Sequence, residues 1–129
     1  MSMKEIMRIT KGRGRTRIHL SLFFMGSDIV LFVYNKNAHC GAVSIAEFDH
    51  AEKRSSVSVF TRLGHKDDAI AQQAAYLISK TFRCTCCVMA GVHVDSITKQ
   101  EIAIVLKNTN AAIDDLLKEL SELNTVRTE

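Results

Sequence analysis

The sequence contains no proline, only 6% aromatic residues and no long hydrophobic run. Without proline there is no Pro-rich linker from which to hang a second domain. The 129 residues suit one domain, large enough to bury a core without disulfide or metal staples. A membrane-spanning helix needs roughly 20 apolar residues, whereas the longest run here, Ile29 to Tyr34, has the length of a strand. The start, MSMKEIMRIT, has no apolar segment behind basic residues, so no secretory signal is expected and the cytoplasm is the expected location. Several catalytic and nucleotide signatures are missing too: GxSxG, HExxH, the GxxxxGK[ST] loop and the Rossmann glycine fingerprint.

Four cysteines are present, and Cys84, Cys86 and Cys87 share one apolar stretch. Neighbouring residues on a strand point to opposite faces, so Cys86 and Cys87 do not easily bridge each other. They and Cys40 read as reduced, small hydrophobes. CxCC is a poor zinc signature: Cys84 and Cys87 have a two-residue spacer, but ligand pairs usually come with a second pair elsewhere, and the one remaining cysteine, Cys40, makes none.

The formal charge of +3 hides an asymmetry. Residues 1–19 hold Lys4, Arg8, Lys11, Arg13, Arg15 and Arg17 against Glu5 alone, while the remaining chain has 11 basic and 13 acidic groups. A local basic hairpin joined to a slightly acidic body speaks against a nucleic-acid surface, as does the lack of an RNA-binding aromatic motif.

The first half reads as strands. Ile18, Leu20, Leu22 and Phe24 alternate with Arg17, His19 and Ser21, the period of a half-buried strand. Gly26-Ser27 suits a type II′ hairpin turn. Ile29 to Tyr34 is apolar on both faces and is expected to be central. Lys4–Thr10, Cys40–Phe48 and Ser55–Leu63 read as further strands. After Gly64 the period changes: Ile70, Ala74, Leu77 and Ile78 lie at helical spacing over 66–81. A sixth strand, Cys86 to Val94, precedes a second helix that opens on a Thr98/Glu101 capping box. Asn108 to Asn110 is expected to bend this helix, and its surplus Leu116, Leu117, Leu120 and Leu123 to offer a contact for a homo-oligomer. The expected fold is α+β: a single two-layer domain over 1–124, with a mostly antiparallel sheet of about six strands, two helices on one face and a frayed tail at 125–129.

Three histidines carry the candidate chemistry. His39, His65 and His93 each lie within two residues of a glycine at a strand or loop end, where a rigid sheet presents polar groups. If they converge, His39, His65, His93 and Asp95 are a metal-ligand set, although their spacing matches no metal motif. The alternative is an anionic organic ligand held by the histidines and Lys66. Gly12-Arg13-Gly14-Arg15 is a second anion element, since arginine forks match phosphate oxygens; a solvated hairpin explains it as well. Arg54 beside the Ser55–Ser58 strand is a further anion contact.

The segments Tyr34-Asn35, His39-Cys40-Gly41-Ala42-Val43, Arg54 to Ser58, Leu63-Gly64-His65-Lys66-Asp67-Asp68 and Ala90-Gly91-Val92-His93-Val94-Asp95 occur in this order. They resemble the prenylated-flavin chaperone-like family, the small family of the gallate decarboxylase D subunit, and the resemblance covers nearly the whole chain. It implies a non-catalytic accessory protein that binds prenylated flavin mononucleotide, or flavin mononucleotide itself, and serves a flavin-dependent decarboxylase. The matching positions are His39, Gly41, Arg54, His65, Lys66, Asp67, Asp68, His93 and Asp95. With the hairpin added, the expected cofactor-binding set is Arg13, Arg15, His39, Gly41, Arg54, His65, Lys66 and His93. A divalent metal on the His/Asp cluster, in a hydrolase or lyase, is the alternative.

Overall fold

The structure, a computed structural model, describes residues 4–62 and 67–128. The chain runs β1 (Glu5–Lys11), a 3-10 turn (Gly14–Thr16), β2 (Ile18–Met25), β3 (Asp28–Tyr34), β4 (Ala42–Asp49), β5 (Arg54–Thr61), α1 (Asp68–Phe82), β6 (Cys86–Gly91) and α2 (Lys99–Thr128). The six strands form one sheet in the order β1-β2-β3-β6-β4-β5. Every pairing is antiparallel except β3 with β6. This is the expected single α+β domain.

Short turns make the hairpins. Gly26 takes φ 63 as the first central residue of the two-residue β2–β3 loop, a conformation glycine adopts without a Cβ clash. One neighbour relation is not local. β4 does not pair with β3; β6 returns across α1 and inserts between them. Both helices lie on one face. α1 packs on β4, β5 and β6, and α2 packs on β1 and β2.

Register places the core. Leu20, Val33, Ala90 and Ala42 are cross-strand partners in one row, and Leu22, Leu31, Val88 and Ser44 in the next; all are buried on the helix side. Under α1 the residues are small: Ala42, Ser44 and Ala46 of β4 lie in one core cluster with Ala71, Ala74 and Ala75, or bond to it. Small side chains let a helix approach the sheet closely. The buried Ser44 hydroxyl donates to the Ala71 carbonyl at 2.6 Å, and the Ser55 and Ser79 hydroxyls meet at 2.8 Å. Under α2 the sheet residues are larger, with Ile9, Ile18, Leu20 and Leu22 in the core beside Val105, Ile113, Leu116 and Leu120.

α2 differs from expectation in two ways. It runs unbroken through Asn108 to Asn110, because those polar side chains find partners. Thr109 Oγ1 donates to the Val105 carbonyl at 2.7 Å, and Asn108 Nδ2 donates to the Thr16 carbonyl at 3.0 Å. The expected oligomer contact is also occupied: Leu116 and Leu120 are buried, and Leu117 and Leu123 pack against the core. The capping box forms as expected, with Thr98 N–H donating to Glu101 Oε1 and Glu101 N–H to Thr98 Oγ1, both at 3.1 Å. The α2 backbone continues to Thr128.

Leu31 is fully buried at the sheet centre. Leu31→Ala is expected to cost about 2–5 kcal/mol, the usual range for deleting a core leucine; urea denaturation followed by circular dichroism measures it.

Candidate functional site

One end of the sheet gathers the ends of β3, β6, β4 and β5 with the 3-10 turn. Its organiser is Asn35, which is 4% exposed. Its side-chain Nδ2 donates to the His93 carbonyl at 2.7 Å, and its Oδ1 accepts the His93 N–H at 3.1 Å. The amide thus continues the β3–β6 ladder one step past the last paired residues. Arg15 locks the adjacent loop. Its Nε and Nη2 donate to the Glu101 carboxylate at 2.6 and 3.1 Å, and Nη2 also donates to the Asp95 carbonyl at 2.6 Å. The Arg15 guanidinium and the Thr98 amide hold the Glu101 carboxyl down at about 2.

The β3–β4 loop folds over this end. Gly41 N–H donates to the Ala90 carbonyl at 2.9 Å, and the Arg62 guanidinium donates to the Cys40 carbonyl at 2.8 Å. Gly91 lies directly beneath: a Cβ there would come within 2.0 Å of the His39 carbonyl oxygen. The close approach seats His39, whose ring centroid is 5.1 Å from that of His93. His93 Nε2 in turn pairs with Asp95 Oδ1 at 2.8 Å.

The helix-free face of the sheet carries a hollow of about 400 Å³ beside this loop. Ser21, Phe23, Phe32, Tyr34, Met89 and Gly91 form its floor; Ala38, His39 and Cys40 line it from the β3–β4 loop; Arg8 and Glu5 line it from β1. Register explains the shape. Arg8, Ser21, Phe32 and Met89 are successive cross-strand partners in one row, and His19, Tyr34 and Gly91 in the next. Ser21 and Gly91 are small residues in otherwise bulky rows, and their size leaves the depression. Phe23 and Phe32 pack edge to face at 5.7 Å, and Tyr34 Oη meets Ser21 Oγ at 2.8 Å, so the floor is fixed. Arg8 pairs with Glu5 at 2.9 Å. His19, stacked on Tyr34 at 5.3 Å, has its pKa lowered by burial and then by Arg17 and Arg8, which favours the neutral ring.

Of the residues singled out from sequence, Arg15, His39, Gly41, His93 and Asp95 come together at this end. Arg13 is exposed at the start of the 3-10 turn. Arg15 is engaged internally with Glu101, so its fork is not free for phosphate. Arg54 pairs in register with Asp49, at the opposite end of β4–β5 from Ala42 and Thr61, and stands roughly 20 Å of strand away. His65 and Lys66 lie outside the described residues. Among the described residues no three His, Cys, Asp or Glu side chains form a metal-holding group. The cysteines are free, and burial raises the Cys84 thiol to about 11 and pushes Cys86 and Cys87 up as well, which disfavours their thiolates. Sequence reasoning missed Asn35, Arg8, Ser21 and the aromatic floor. The available signal was the doubly apolar β3, whose second face had been assigned only to burial.

These features define a two-layer α+β domain with one face sealed by helices and the other hollowed beside a histidine-bearing loop. The chain belongs to the prenylated flavin chaperone LpdD-like domain family, which it matches over residues 12–121. The family supports an accessory role. The fold is also similar to a chain in the crystal structure of a novel chaperone complex for yeast 20S proteasome assembly, with a TM-score of 0.63 and 19% identity over 95% of this chain and 98% of that one. That likeness concerns the fold alone. No curated protein matches the chain.

Asn35→Ala leaves the buried end of the ladder without its partner. It is expected to cost about 1–3 kcal/mol, the usual penalty for orphaning a buried hydrogen-bonding group, read from denaturant midpoints. The Glu101 carboxyl is depressed in the fold, so its stabilisation is complete above its ordinary value of about 4.3 and is lost as pH falls toward about 2. Thermal melts between those pH values are expected to show a smaller acid-induced loss for Glu101→Gln than for the parent chain.

Proposed function

We propose that this protein is a non-catalytic accessory protein that holds prenylated flavin mononucleotide in the open-face hollow and passes it to a flavin-dependent decarboxylase. The observation that carries the reading is the composition of the hollow. An apolar, aromatic floor edged by the Arg8–Glu5 pair suits a flat ring system whose anionic tail takes Glu5's place on Arg8. A volume of about 400 Å³ falls within the range of small-molecule sites. Family membership supports the flavin as the ligand.

In this reading the ring system lies over Phe32, Tyr34 and Met89. His39 meets its edge, with His93 behind it, oriented by Asp95. The Gly41 backbone holds the loop in place. Arg8 is the cation nearest the floor and would exchange its pairing with Glu5 for the phosphate; Arg13, exposed on the hairpin, is a second candidate. His65 and Lys66 remain contributors proposed from the sequence. Arg54 is too distant to serve the same ligand.

Fluorescence titration with flavin mononucleotide and with its prenylated form tests the reading. Saturable binding with Kd at or below about 100 μM is expected. His39→Ala and Arg8→Glu are each expected to weaken it by about tenfold, the worth of one charged or well-placed polar contact. Gly91→Ala, which displaces the His39 main chain, is expected to weaken it comparably. Absence of saturation with either flavin, or equal binding by all three variants, would contradict the proposal.

A further inference from the structure

The helix-free face is more apolar than a solvated sheet face. Beside the hollow, Met89, Val43 and Phe60 continue its central row across β6, β4 and β5, and Cys87, Ile45 and Ser58 form the row below. Phe60 is 70% exposed, Ile45 50% and Met89 37%. Isolated apolar residues on a surface are ordinary; contiguous ones on a flat sheet, rimmed by polar groups, mark an interaction surface. β3 makes the same point. Val30, Phe32 and Tyr34 alternate with the buried Ile29, Leu31 and Val33, so this strand is apolar on both faces, yet both helices lie on the Ile29, Leu31 and Val33 side of the sheet. Strands of that pattern belong between two layers.

We propose that a second copy of this chain packs its own sheet on this face, giving a two-fold dimer with helix, sheet, sheet and helix layers. The size fits. Six strands of about seven residues span about 650 Å², close to the roughly 800 Å² per partner of a standard stable interface. The charge pattern fits a copy better than a partner of opposite sign. The two apolar rows carry no ionised group across β3, β6, β4 and β5; Arg8 and Glu5 satisfy each other at the β1 edge, and Glu47 lies toward the far end of β4. Such a surface is complementary to itself. It is also shaped in two halves: a hollow over β1 to β3 and projecting side chains over β4 and β5. A two-fold axis along the strands, between β3 and β6, sets the projecting half of each copy over the hollow half of the other. Each sheet then roofs its partner's pocket, which the β3–β4 loop and β1 line from two sides. Two sheets packed face to face are the ordinary sandwich arrangement.

Sedimentation equilibrium of the purified full chain without ligand, over about 1–100 μM, tests this independently of flavin binding. The expected mass is twice the 14.4 kDa of the chain. Phe60→Asp and Ile45→Lys alter exposed side chains that the single domain does not need, so both are expected to fold, with far-ultraviolet circular dichroism unchanged. Each is expected to raise the dimer dissociation constant by at least about thirtyfold, as removal of a central anchor does. Leu106→Asp, on an exposed position of α2, is expected to leave the dimer intact. A monomeric parent chain throughout this range would overturn the proposal. So would a dimer that resists both sheet variants, or one that Leu106→Asp dissociates in their place.

Discussion

Two helices cannot cover both faces of a six-stranded sheet, and in this protein both are committed to the same face. The remainder of the structure follows from that constraint. The helix side is finished: small residues under α1, large ones under α2, and buried hydroxyls bonded to the backbone or to each other. The other side keeps an apolar surface that the chain alone does not bury. Apolar area removed from water stabilises by roughly 25 cal/mol per Å², so a surface of this kind is a standing driving force for association with something flat and apolar. A ring system over Phe32 and Tyr34 meets that description at one end, and a second sheet meets it over the rest.

The sheet end beside the hollow is held by polar groups rather than by hydrophobic packing. Asn35 extends a ladder beyond its strands, Arg15 clips the start of α2 to the hairpin, and Arg62 fastens the loop that carries His39. Burial makes the Asn35 contacts consequential, because an unpaired donor there has no water to turn to. Gly91 supplies what none of these bonds can, a space for the His39 carbonyl against the sheet. The loop's position is therefore set from three sides, and a histidine on it can be presented to a ligand without an ordering cost at the moment of binding.

Much of the fold was legible in the sequence, since periodicity and end signals are local. The hairpins, the Thr98/Glu101 cap and the doubly apolar third strand all emerged from residues close together in the chain. The strand order did not. Nothing local states that β6 will part β3 from β4, because that placement depends on α1 spanning the sheet. The candidate site was legible in part for the same reason. His39 and His93 were marked by neighbouring glycines and the ends of strands. The partnership of Arg15 with Glu101, 86 residues away, has no local trace, and it turns an apparent phosphate fork into a structural clip. Arg54 shares a strand with the site's neighbours but occupies its other end, a distinction that only register supplies. Ser21 read as a solvent-side residue because alternation alone does not tell water from a hollow.

The central claim is that the functional surface is the helix-free face, at its Tyr34 end. Amide and methyl nuclear magnetic resonance spectra, recorded while flavin mononucleotide is added, test this most directly. The account predicts saturable shifts concentrated at Ser21, Phe32, Tyr34, His39 and Met89, with the buried signals of α1 and α2 nearly unmoved. Shifts centred instead on α2 or on the Arg54 end of β5, with the hollow silent, would contradict it.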